Sequence, residues 1–380
     1  MHNSALETVY RGARVLVTGH TGFKGAWMTE WLLALGAEVI GYALPPPTTP
    51  SLFVQLGHSR RIYHNEGDVR DLAALTRVVR ETKPSFIFHL AAQPLVRVSY
   101  VIPVETYEVN VMGTVHLLEA VRTTGIDCNV VCVTTDKCYE NREWVYGYRE
   151  VDPMGGFDPY SSSKGAAELA ISAYRRSYFS GLEEGARVAS ARAGNVIGGG
   201  DWAVDRIVPD CIRSLRTGDV ISVRNRSATR PWQHVLEPVS GYLWLAASMS
   251  KGSRFGFLRH PSIYADAFNF GPSAASTKTV GDLVKEVLLN WAGISEDRGG
   301  QKTPHEAGLL SLSIDKAQHL LGWCPVWLFK ETVEKTISWY RETYYGRAEP
   351  GEITRAQIAE YSENAATAGI VWACEGEVST

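Results

Sequence analysis

Two short stretches of the sequence carry side chains that can move protons, and the first is "YSSSK". Tyr160 and Lys164 lie four residues apart in it, so a helix would place them on one face, one turn apart. A lysine ammonium beside a phenol favours the phenolate and lowers the pKa of the tyrosine. Such a tyrosine can take a proton from an alcohol while a hydride leaves the same carbon. The spacing alone is common on helix surfaces, so the prediction depends on its surroundings.

The second stretch is "TTDK", which follows the apolar run "CNVVCV". Thr135 offers a hydroxyl that can hold a substrate oxygen, and Asp136 offers a carboxyl group that can donate a proton. Parallel sheets bind their ligands at the carboxyl ends of the strands, where these residues are expected to lie. The alternative is a solvated strand end, with Lys137 as an ordinary surface charge.

A glycine-rich loop, "TGHTGFKG", separates a strand-like run from a helix-like run near the N-terminus. Gly19, Gly22 and Gly25 permit a tight turn and close approach of a ligand. The helix N-terminus then presents unpaired N–H groups to a pyrophosphate, which predicts dinucleotide binding. Asp68, after the third predicted strand, is placed to accept from an adenine amino group or to cap the next helix. The second strand ends in "GYALPPP", without acid or arginine, so the residues do not distinguish NAD from NADP.

Strand-like and helix-like runs alternate through the first 195 residues. The predicted strands are 13–19, 38–44, 61–69, 85–92, 128–135 and a sixth beginning at 186, and the predicted helices are 25–37, 72–84, 104–125 and 159–178. This alternation predicts an α/β fold, a Rossmann-type doubly wound parallel sheet with helices on both faces.

The alternation weakens after residue 196, which predicts a smaller, irregular α/β lobe over the strand ends. The predicted dinucleotide-binding domain comprises 1–195 plus about 233–270. The predicted substrate lobe comprises about 196–232 plus 271–350, with helices at 279–291 and 328–344. Residues 351–380 form a polar tail without a readable role.

Composition and charge argue against several classes of function. The net charge is −3, and without a broad basic field no nucleic-acid partner is expected. No apolar run approaches the roughly 20 residues of a membrane span. The N-terminus lacks an apolar signal core, so a cytoplasmic location is expected. The six cysteines form no CxxC pair and no histidine cluster has metal-ligand spacing, so reduced cysteines and no metal site are expected.

Together these motifs resemble the extended short-chain dehydrogenase/reductase family. The resemblance also includes "HLAAQ", "VNVMGT" and "SIDKAQHLLGWCP", and it covers nearly the whole chain. It implies a bound NAD, a nucleotide-sugar substrate and a homodimer or higher homo-oligomer formed through the two long helices.

The family pattern extends the set of expected site residues. The expected cofactor-binding residues are Gly19, His20, Thr21, Gly22, Phe23, Lys24, Gly25, Asp68, Val69, Leu90, Ala91, Ala92, Gln93, Asn110, Thr134, Tyr160 and Lys164. The expected substrate-binding residues are Ser99, Thr135, Asn195, Arg206, Arg224, Arg230 and His234. The guanidinium of Arg230 would suit the oxygens of a diphosphate. Arg206 and Arg224 are either substrate contacts or ordinary surface charges.

The residues after the strand-end threonine bear on the reaction. Nucleotide-sugar 4,6-dehydratases of this family generally carry Thr-Asp-Glu there, and 4-epimerases carry small residues. Thr135, Asp136 and Lys137, together with "GHTGFKG", "ALPPPTTPSLF" and "RPWQHVLEPVSGYL", resemble the branch that acts on CDP-glucose. The resemblance implies transient oxidation at C4, loss of the C5 proton and departure of the 6-hydroxyl, with Asp136 as the acid.

The identity of the C5 base stays open, because a lysine ammonium is a poor base at neutral pH. Lys137 is either a base of altered proton affinity or a cation that stabilises the enolate while another group takes the proton. Two other functions stay open as well. One is a 4,6-dehydratase or 4-epimerase acting on another nucleotide sugar, and the other is a non-catalytic NAD-binding protein.

Overall fold

A parallel sheet of seven strands forms the centre of the chain, which a computed structural model describes over residues 4–180, 185–250, 261–297 and 308–374. The strands are β1 Arg14–Thr18, β2 Glu38–Ala43, β3 Tyr63–Glu66, β4 Phe86–His89, β5 Asn129–Val133, β6 Arg187–Arg192, β7 Val196–Ile197, β8 Ile221–Val223, β9 Thr229–Pro231, β10 Gln233–His234, β11 Ala267–Asn269, β12 Thr277–Thr279 and β13 Ser295–Asp297. The sheet order is β11-β6-β5-β4-β1-β2-β3, and three two-stranded pairs (β7 with β10, β9 with β12, β8 with β13) lie outside it.

Several of the helices cover the two faces of this sheet, and others pack against the two-stranded pairs. The helices are α1 Ala5–Tyr10, α2 Phe23–Ala34, α3 Leu52–Gln55, α4 Leu72–Thr82, α5 Val96–Val101, α6 Pro103–Tyr107, α7 Gly113–Thr124, α8 Pro159–Tyr174, α9 Ile207–Thr217, α10 Leu236–Ser248, α11 Val280–Asn290, α12 Asp315–Leu321, α13 Phe329–Tyr344 and α14 Pro350–Thr367. Within the described ranges, no helix has the length and apolar character that crossing a lipid bilayer requires.

Successive strand residues point to opposite faces, which divides the core in two. Leu16 and Ile40 pack with side chains of α4, α7 and α8. Val15, Val17 and Val39 pack with side chains of α2 and α10. The predicted α/β fold with a doubly wound parallel sheet is therefore confirmed.

The predicted long helix 104–125 is divided. Its middle, Glu108–Met112, is a π-helical turn between α6 and α7. π turns often mark functional positions, and Asn110 within this one is buried. The predicted strand 128–135 stops at Val133, so Thr134 and Thr135 lie just beyond it.

The C-terminal segment, whose role the sequence did not reveal, contains α14, which packs against α2. Tyr361 donates a hydrogen bond of 2.7 Å to the buried carboxyl of Glu237, and its ring stacks on Trp372 at 5.8 Å. Glu237 also accepts from the backbone N–H groups of Val326 and Trp327. This carboxyl therefore links α10 to α14 and to the loop that precedes α13.

Glu237 should make stability depend on pH. Burial raises its pKa from the ordinary value of 4.5 to about 7. Because the folded-state pKa is the higher one, its contribution is fully present below the unfolded value and is lost as pH rises through 7. We expect the free energy of unfolding, relative to that of Glu237→Gln, to fall by about 3 kcal/mol between about pH 4 and pH 8.

Urea unfolding of both proteins across this range measures the effect. Glutamine keeps the shape of the side chain but cannot ionise, so it is the matched variant. A difference between the two proteins that stays constant with pH would contradict the expectation.

Candidate functional site

A cavity of about 1580 Å³ opens at the carboxyl ends of the central strands. Its walls come from the glycine-rich loop, from the ends of β4, β5 and β6, and from the segments around α9 and β8. β1 and β4 are neighbours although they are not consecutive, so the strand order reverses beside the loop. Open α/β sheets bind their ligands at this kind of switch point.

The glycine-rich loop leaves no room for side chains at two positions. Gly19 has a φ of 74°, and a Cβ there would lie 2.6 Å from the backbone nitrogen of Ala91. A Cβ on Gly25 would lie 2.2 Å from the carbonyl oxygen of Gly19. Gly22 precedes α2 as its N-cap without a side-chain cap, so the first-turn N–H groups of this helix remain available to a ligand.

Most of the expected cofactor-binding residues line the cavity. Those that line it are Gly19, Thr21, Gly22, Phe23, Lys24, Gly25, Asp68, Val69, Leu90, Ala91, Ala92, Thr134, Tyr160 and Lys164. His20, Gln93 and Asn110 lie behind this wall. Asn110 accepts from the backbone N–H of Gln93 at 2.9 Å and donates to Ser163 at 2.9 Å. It thereby ties the loop after β4 to α8.

His20 packs behind the loop rather than facing a ligand. Its Nε2 lies 2.8 Å from Nδ1 of His64, and its ring meets the edge of Phe53. Burial lowers its pKa to about 3, so the ring is neutral. In the described part of the chain, no group of three or more His, Cys, Asp or Glu residues is arranged to hold a metal ion.

Asp68 lines the cavity, but its carboxylate is already paired with Arg70. The guanidinium donates to it at 2.6 and 2.9 Å, and the backbone N–H of Arg70 donates at 2.9 Å. This pairing lowers the pKa of Asp68. An adenine amino group would therefore share an acceptor that Arg70 already occupies.

Tyr160 and Lys164 lie on the first turns of α8, as predicted. Asp158 caps this helix by accepting from the backbone N–H of Ser161 at 2.9 Å. Ser99 Oγ accepts from the backbone N–H of Tyr160 at 3.2 Å. Ser99 is fully buried and lies behind the cavity wall, so the structure places it as a support for Tyr160 and not at the expected substrate surface.

The pKa of Tyr160 differs from the one that the sequence predicted. Burial raises the pKa of Tyr160 to about 12, although a hydrogen bond with Thr135 lowers it in part. Burial also lowers the pKa of Lys164 to about 8. The pKa of Tyr160 is therefore higher than the sequence predicted, because desolvation of the phenolate outweighs the hydrogen bond with Thr135 and the charge of Arg206.

Asp136 is fully buried beneath Thr135 rather than in the cavity wall. Its Oδ1 accepts from Thr135 Oγ1 at 2.9 Å and lies 3.8 Å from Lys137 Nζ. Its Oδ2 accepts from Asn195 Nδ2 at 3.5 Å. A Cβ on Gly194 would lie 1.9 Å from Oδ2, so only glycine fits there. The sequence did not single out Gly194, whose only signal is its place directly before Asn195.

A buried carboxylate on α8 holds the end of β5. Glu168 accepts from Thr134 Oγ1 at 2.5 Å and from Arg192 at 2.8 Å. Arg192 and the nearby donors lower the pKa of this carboxyl against the effect of burial. The sequence did not single out this ion pair, although Glu168 follows Lys164 by four residues in the same helix.

Lys24 reaches from the glycine-rich loop toward the other ionisable groups of the cavity. Its Nζ donates to Tyr242 Oη at 3.3 Å. Burial, followed by the cations Arg206 and Lys164, lowers its pKa to about 7, and Asp136 opposes this effect. Lys24 therefore belongs to the electrostatic surroundings of Asp136 as well as to the loop.

The three expected arginines line the cavity, each with a protein partner. Arg206 pairs with Asp201 at 2.8 Å. Arg224 pairs with Asp205 at 3.2 Å. The third, Arg230, donates to the carbonyl of Thr229 at 2.8 Å.

A further arginine of the cavity wall, Arg97, was not predicted. It approaches Asp205 from α5 at 3.3 Å, so Asp205 bridges it to Arg224 across the cavity. Nothing in "PLVRVSY" marks this residue, because the contact joins segments that are far apart in sequence.

His234 lies outside the cavity. Its ring is enclosed by Trp27 at 5.6 Å and Trp327 at 4.9 Å. Burial lowers its pKa to about 3, so it is a neutral core residue. The expected substrate contact is therefore not formed by His234, because β10 directs its side chain into the core.

Comparison with known proteins agrees with this geometry. Residues 16–336 match the family described as GDP-mannose 4,6 dehydratase. The chain belongs to this family. A CDP-glucose 4,6-dehydratase from Salmonella typhimurium is 48% identical over 337 residues, which cover 87% of this chain and 91% of that protein. The predicted resemblance to extended short-chain dehydrogenases/reductases is thus confirmed.

Solved structures share the fold of this GDP-mannose 4,6 dehydratase family member. A dTDP-glucose 4,6-dehydratase from Streptomyces venezuelae, crystallised with NAD, superposes with a TM-score of 0.73 at 25% identity over 89% of this chain and 99% of that one. A dTDP-glucose 4,6-dehydratase from Bacillus anthracis, also in complex with NAD, gives a TM-score of 0.71 at 21% identity over 88% and 99%.

Proposed function

We propose that this protein converts CDP-glucose to CDP-4-keto-6-deoxyglucose with a bound NAD. The observation that carries the proposal is the meeting of an alcohol-oxidising set, Thr135, Tyr160 and Lys164, with the carboxyl of Asp136 at one strand end. The 48% identity with a CDP-glucose 4,6-dehydratase supports the choice of nucleotide.

The residues of the cavity fit a dinucleotide. Gly19 and Gly25 leave a cradle that a Cβ would fill, and the N-terminus of α2 offers N–H groups to the pyrophosphate. Lys164 would hold a cofactor ribose. When bound, NAD supplies a hydride acceptor that takes the C4 hydrogen of the sugar and returns it to C6, so the reaction has no net redox change.

The first chemical task of the protein is to accept the proton of the 4-hydroxyl. Tyr160 would take this proton, and Thr135 would hydrogen-bond the same oxygen. Oxidation at C4 makes the neighbouring C5 proton acidic, which it is not in the intact sugar. The buried position of Tyr160 and Lys164 keeps competing water away from this step.

The second task is to remove the 6-hydroxyl. A hydroxide ion is a poor leaving group, so an acid must protonate this oxygen as the C5 proton leaves. Asp136 lies directly behind the cavity wall, where its Oδ1 accepts from Thr135 Oγ1 at 2.9 Å and lies 3.8 Å from Lys137 Nζ, and both of these residues line the cavity. We assign the acid role to Asp136.

Lys137 is proposed to act at C5. It lines the cavity with its side chain partly exposed and Nζ close to Asp136. We expect Lys137→Ala to slow solvent deuterium uptake at C5 by about 100-fold while C4 oxidation changes much less. Deuterium at C5 is measured in the product by NMR, and oxidation by the absorbance of the reduced nicotinamide.

Lys137→Arg distinguishes a base at C5 from a cation that stabilises the enolate. Arginine keeps the positive charge but is a far poorer base. Exchange retained in the arginine variant indicates electrostatic stabilisation of the enolate, and exchange lost in both variants indicates a base. Equal slowing of oxidation and exchange in the alanine variant would contradict a role at C5.

Arg206, Arg224 and Arg230 are proposed to bind the substrate diphosphate together with Asn195. The three guanidinium groups line one cavity, and their forks match phosphate oxygens. Two of them are paired with aspartates, so phosphate would replace or share these carboxylates.

The deciding experiment is incubation with CDP-, dTDP-, UDP- and GDP-glucose, followed by mass analysis of the products. We expect loss of water from CDP-glucose. Dehydration of another nucleotide sugar alone would support the reaction class but refute CDP-glucose as the substrate. Unchanged mass with all four would refute dehydration, and Asp136 would then need another explanation, because a 4-epimerase has no hydroxyl to expel.

A homodimer through α6 to α8 is proposed as well. Large apolar side chains are exposed on α5 to α8 and the π turn, namely Tyr100, Val101, Val104, Tyr107, Met112 and Leu169. Exposed apolar surface of this kind marks association sites. We expect Leu169→Lys to shift the chain from dimer to monomer in sedimentation equilibrium. Leu289→Lys, on α11, is the matched control and should leave the dimer intact.

A further inference from the structure

A buried carboxylate joins α8 to the ends of β5 and β6. Glu168 Oε1 accepts a hydrogen bond from Thr134 Oγ1 at 2.5 Å. Its Oε2 accepts from Ser190 Oγ at 2.8 Å and from the guanidinium of Arg192 at 2.8 Å. The side chains of Glu168 and Arg192 are only 3% and 5% exposed. Donors from the ends of two neighbouring strands therefore hold both carboxylate oxygens away from solvent.

Glu168 lies on the face of α8 that carries two of the proposed catalytic groups. Tyr160, Lys164 and Glu168 follow one another at four-residue intervals, so they lie on one side of the helix. All three residues are buried. A contact that fixes Glu168 therefore also fixes the turns of α8 that carry Tyr160 and Lys164.

The two strand ends that this carboxylate holds carry the other groups of the proposed reaction. Thr134 directly precedes Thr135 in the chain. Arg192 ends β6, two residues before Gly194, and the carboxyl of Asp136 packs against Gly194. One side chain of α8 thus ties the helix face to both strand ends. The proposed function, on which this inference rests, requires these three parts of the chain to meet at one sugar.

Stability alone does not account for the buried ion pair. Taking two charges out of water opposes folding, and replacing a buried ion pair with apolar side chains of similar volume is often neutral or stabilising. What the pair supplies is direction, because charge-assisted hydrogen bonds have a defined geometry and the carboxylate makes three of them. Positioning therefore explains the Glu168–Arg192 pair better than stability does.

We propose that Glu168 is a positioning residue of the proposed active site, which sets the spacing between Tyr160 on α8 and Thr135 at the end of β5. It acts through Thr134, which lines the cavity, while Glu168 itself lies behind the cavity wall. Displacing a reacting group by about 1 Å can cost about 100-fold in rate. A small shift of Thr134 against α8 is enough to slow the oxidation at C4.

Amide hydrogen exchange, measured by mass spectrometry, tests the positioning without any substrate. Glu168→Gln keeps the size of the side chain, but its amide nitrogen cannot accept a hydrogen bond. At least one of the three donors therefore loses its acceptor. We expect amide exchange in residues 133–136 to accelerate by at least about fivefold, and exchange in the glycine-rich loop to stay unchanged. Unaltered exchange in residues 133–136 would overturn the proposal.

Kinetics with CDP-glucose test the consequence for catalysis. We expect Glu168→Gln to lower kcat by about 30-fold while KM changes by less than about threefold. Formation of the reduced nicotinamide in a single turnover should slow by the same factor, because the spacing serves the oxidation at C4.

Glu30→Gln is the matched control for these kinetics. Glu30 is also a buried carboxylate paired with an arginine, Arg61, but it lies on α2. This variant should keep kcat within about twofold. An equal loss of kcat in both glutamine variants, or an unchanged kcat in Glu168→Gln, would overturn the positioning role.

Variants of Thr134 locate the effect in its hydrogen bond to Glu168. Thr134→Val removes the donor and should lower kcat by about tenfold, whereas Thr134→Ser keeps the donor and should stay within about twofold. In the double variant with Glu168→Gln the loss should not exceed that of Glu168→Gln alone, because both changes break the same contact. Losses that multiply would overturn the role of this contact. If Glu168→Gln does not fold, the two Thr134 variants are judged by the same exchange and kinetic measurements.

Failure of the proposed function is recognised separately. The unmodified protein would then not dehydrate CDP-glucose, whatever the exchange rates of the variants are. Dehydration by the unmodified protein together with unaltered exchange and kcat in Glu168→Gln refutes the positioning role alone.

Discussion

Replacing Tyr160 with phenylalanine should lower kcat for CDP-glucose by about three orders of magnitude. Phenylalanine keeps the ring that packs in the wall of the cavity and removes only the atom that accepts the 4-hydroxyl proton. Proton transfer by a positioned side chain typically contributes about 10²- to 10⁴-fold. KM should change little, because the lost interaction develops in the transition state and not in the bound substrate.

Steady-state kinetics of product formation measures this effect. Tyr174→Phe is the matched control, because Tyr174 lies on the same helix and its hydroxyl donates to Glu119 outside the cavity. The control should retain kcat within about twofold. If Tyr160→Phe retained more than about a tenth of the activity, another group would be the proton acceptor.

The tyrosine is also where local sequence is most informative. Tyr160 and Lys164 share a helix face because of their four-residue spacing alone. The glycine-rich loop and the β-α alternation are equally local, since period 2 and period 3.6 can be seen in short segments. The fold, the cavity edge and the alcohol-oxidising set could therefore be predicted from the sequence.

The rest depends on contacts between segments that are distant in sequence. The carboxyl of Asp136 is turned toward Gly194 and Asn195, 58 and 59 residues away, and nothing near Asp136 signals this. The pKa of Tyr160 depends on how deeply the phenol is buried, which a sequence does not display.

His234 and the C-terminal helix illustrate the same limit. A histidine among tryptophans can face either a ligand or the core, and packing by Trp27 and Trp327 decides it. The C-terminal segment is polar in sequence because α14 contacts the rest of the chain through polar side chains, such as Thr354 with Trp339 and Gln357 with the carbonyl of Lys335. Its anchor, Tyr361, meets a carboxyl 124 residues earlier in the chain.

Replacing Asp136 with asparagine should separate elimination from oxidation. Asparagine keeps the shape of the side chain and its contact with Thr135, but it cannot give a proton to the departing oxygen. We expect kcat for CDP-glucose to fall by about 10²- to 10⁴-fold. For CDP-6-deoxy-6-fluoroglucose we expect a loss of less than about tenfold, because fluoride leaves without a proton.

Mass analysis of the product measures dehydration, and a fluoride electrode measures loss of fluoride. Asp127→Asn is the control, because Asp127 pairs with Arg187 at the far end of the sheet and should leave both rates unchanged. An equal fall in kcat with both substrates in Asp136→Asn would mean that Asp136 acts before elimination, for example by supporting Thr135 during C4 oxidation. A selective loss on CDP-glucose would instead place the carboxyl at C6, because only there do the two sugars differ.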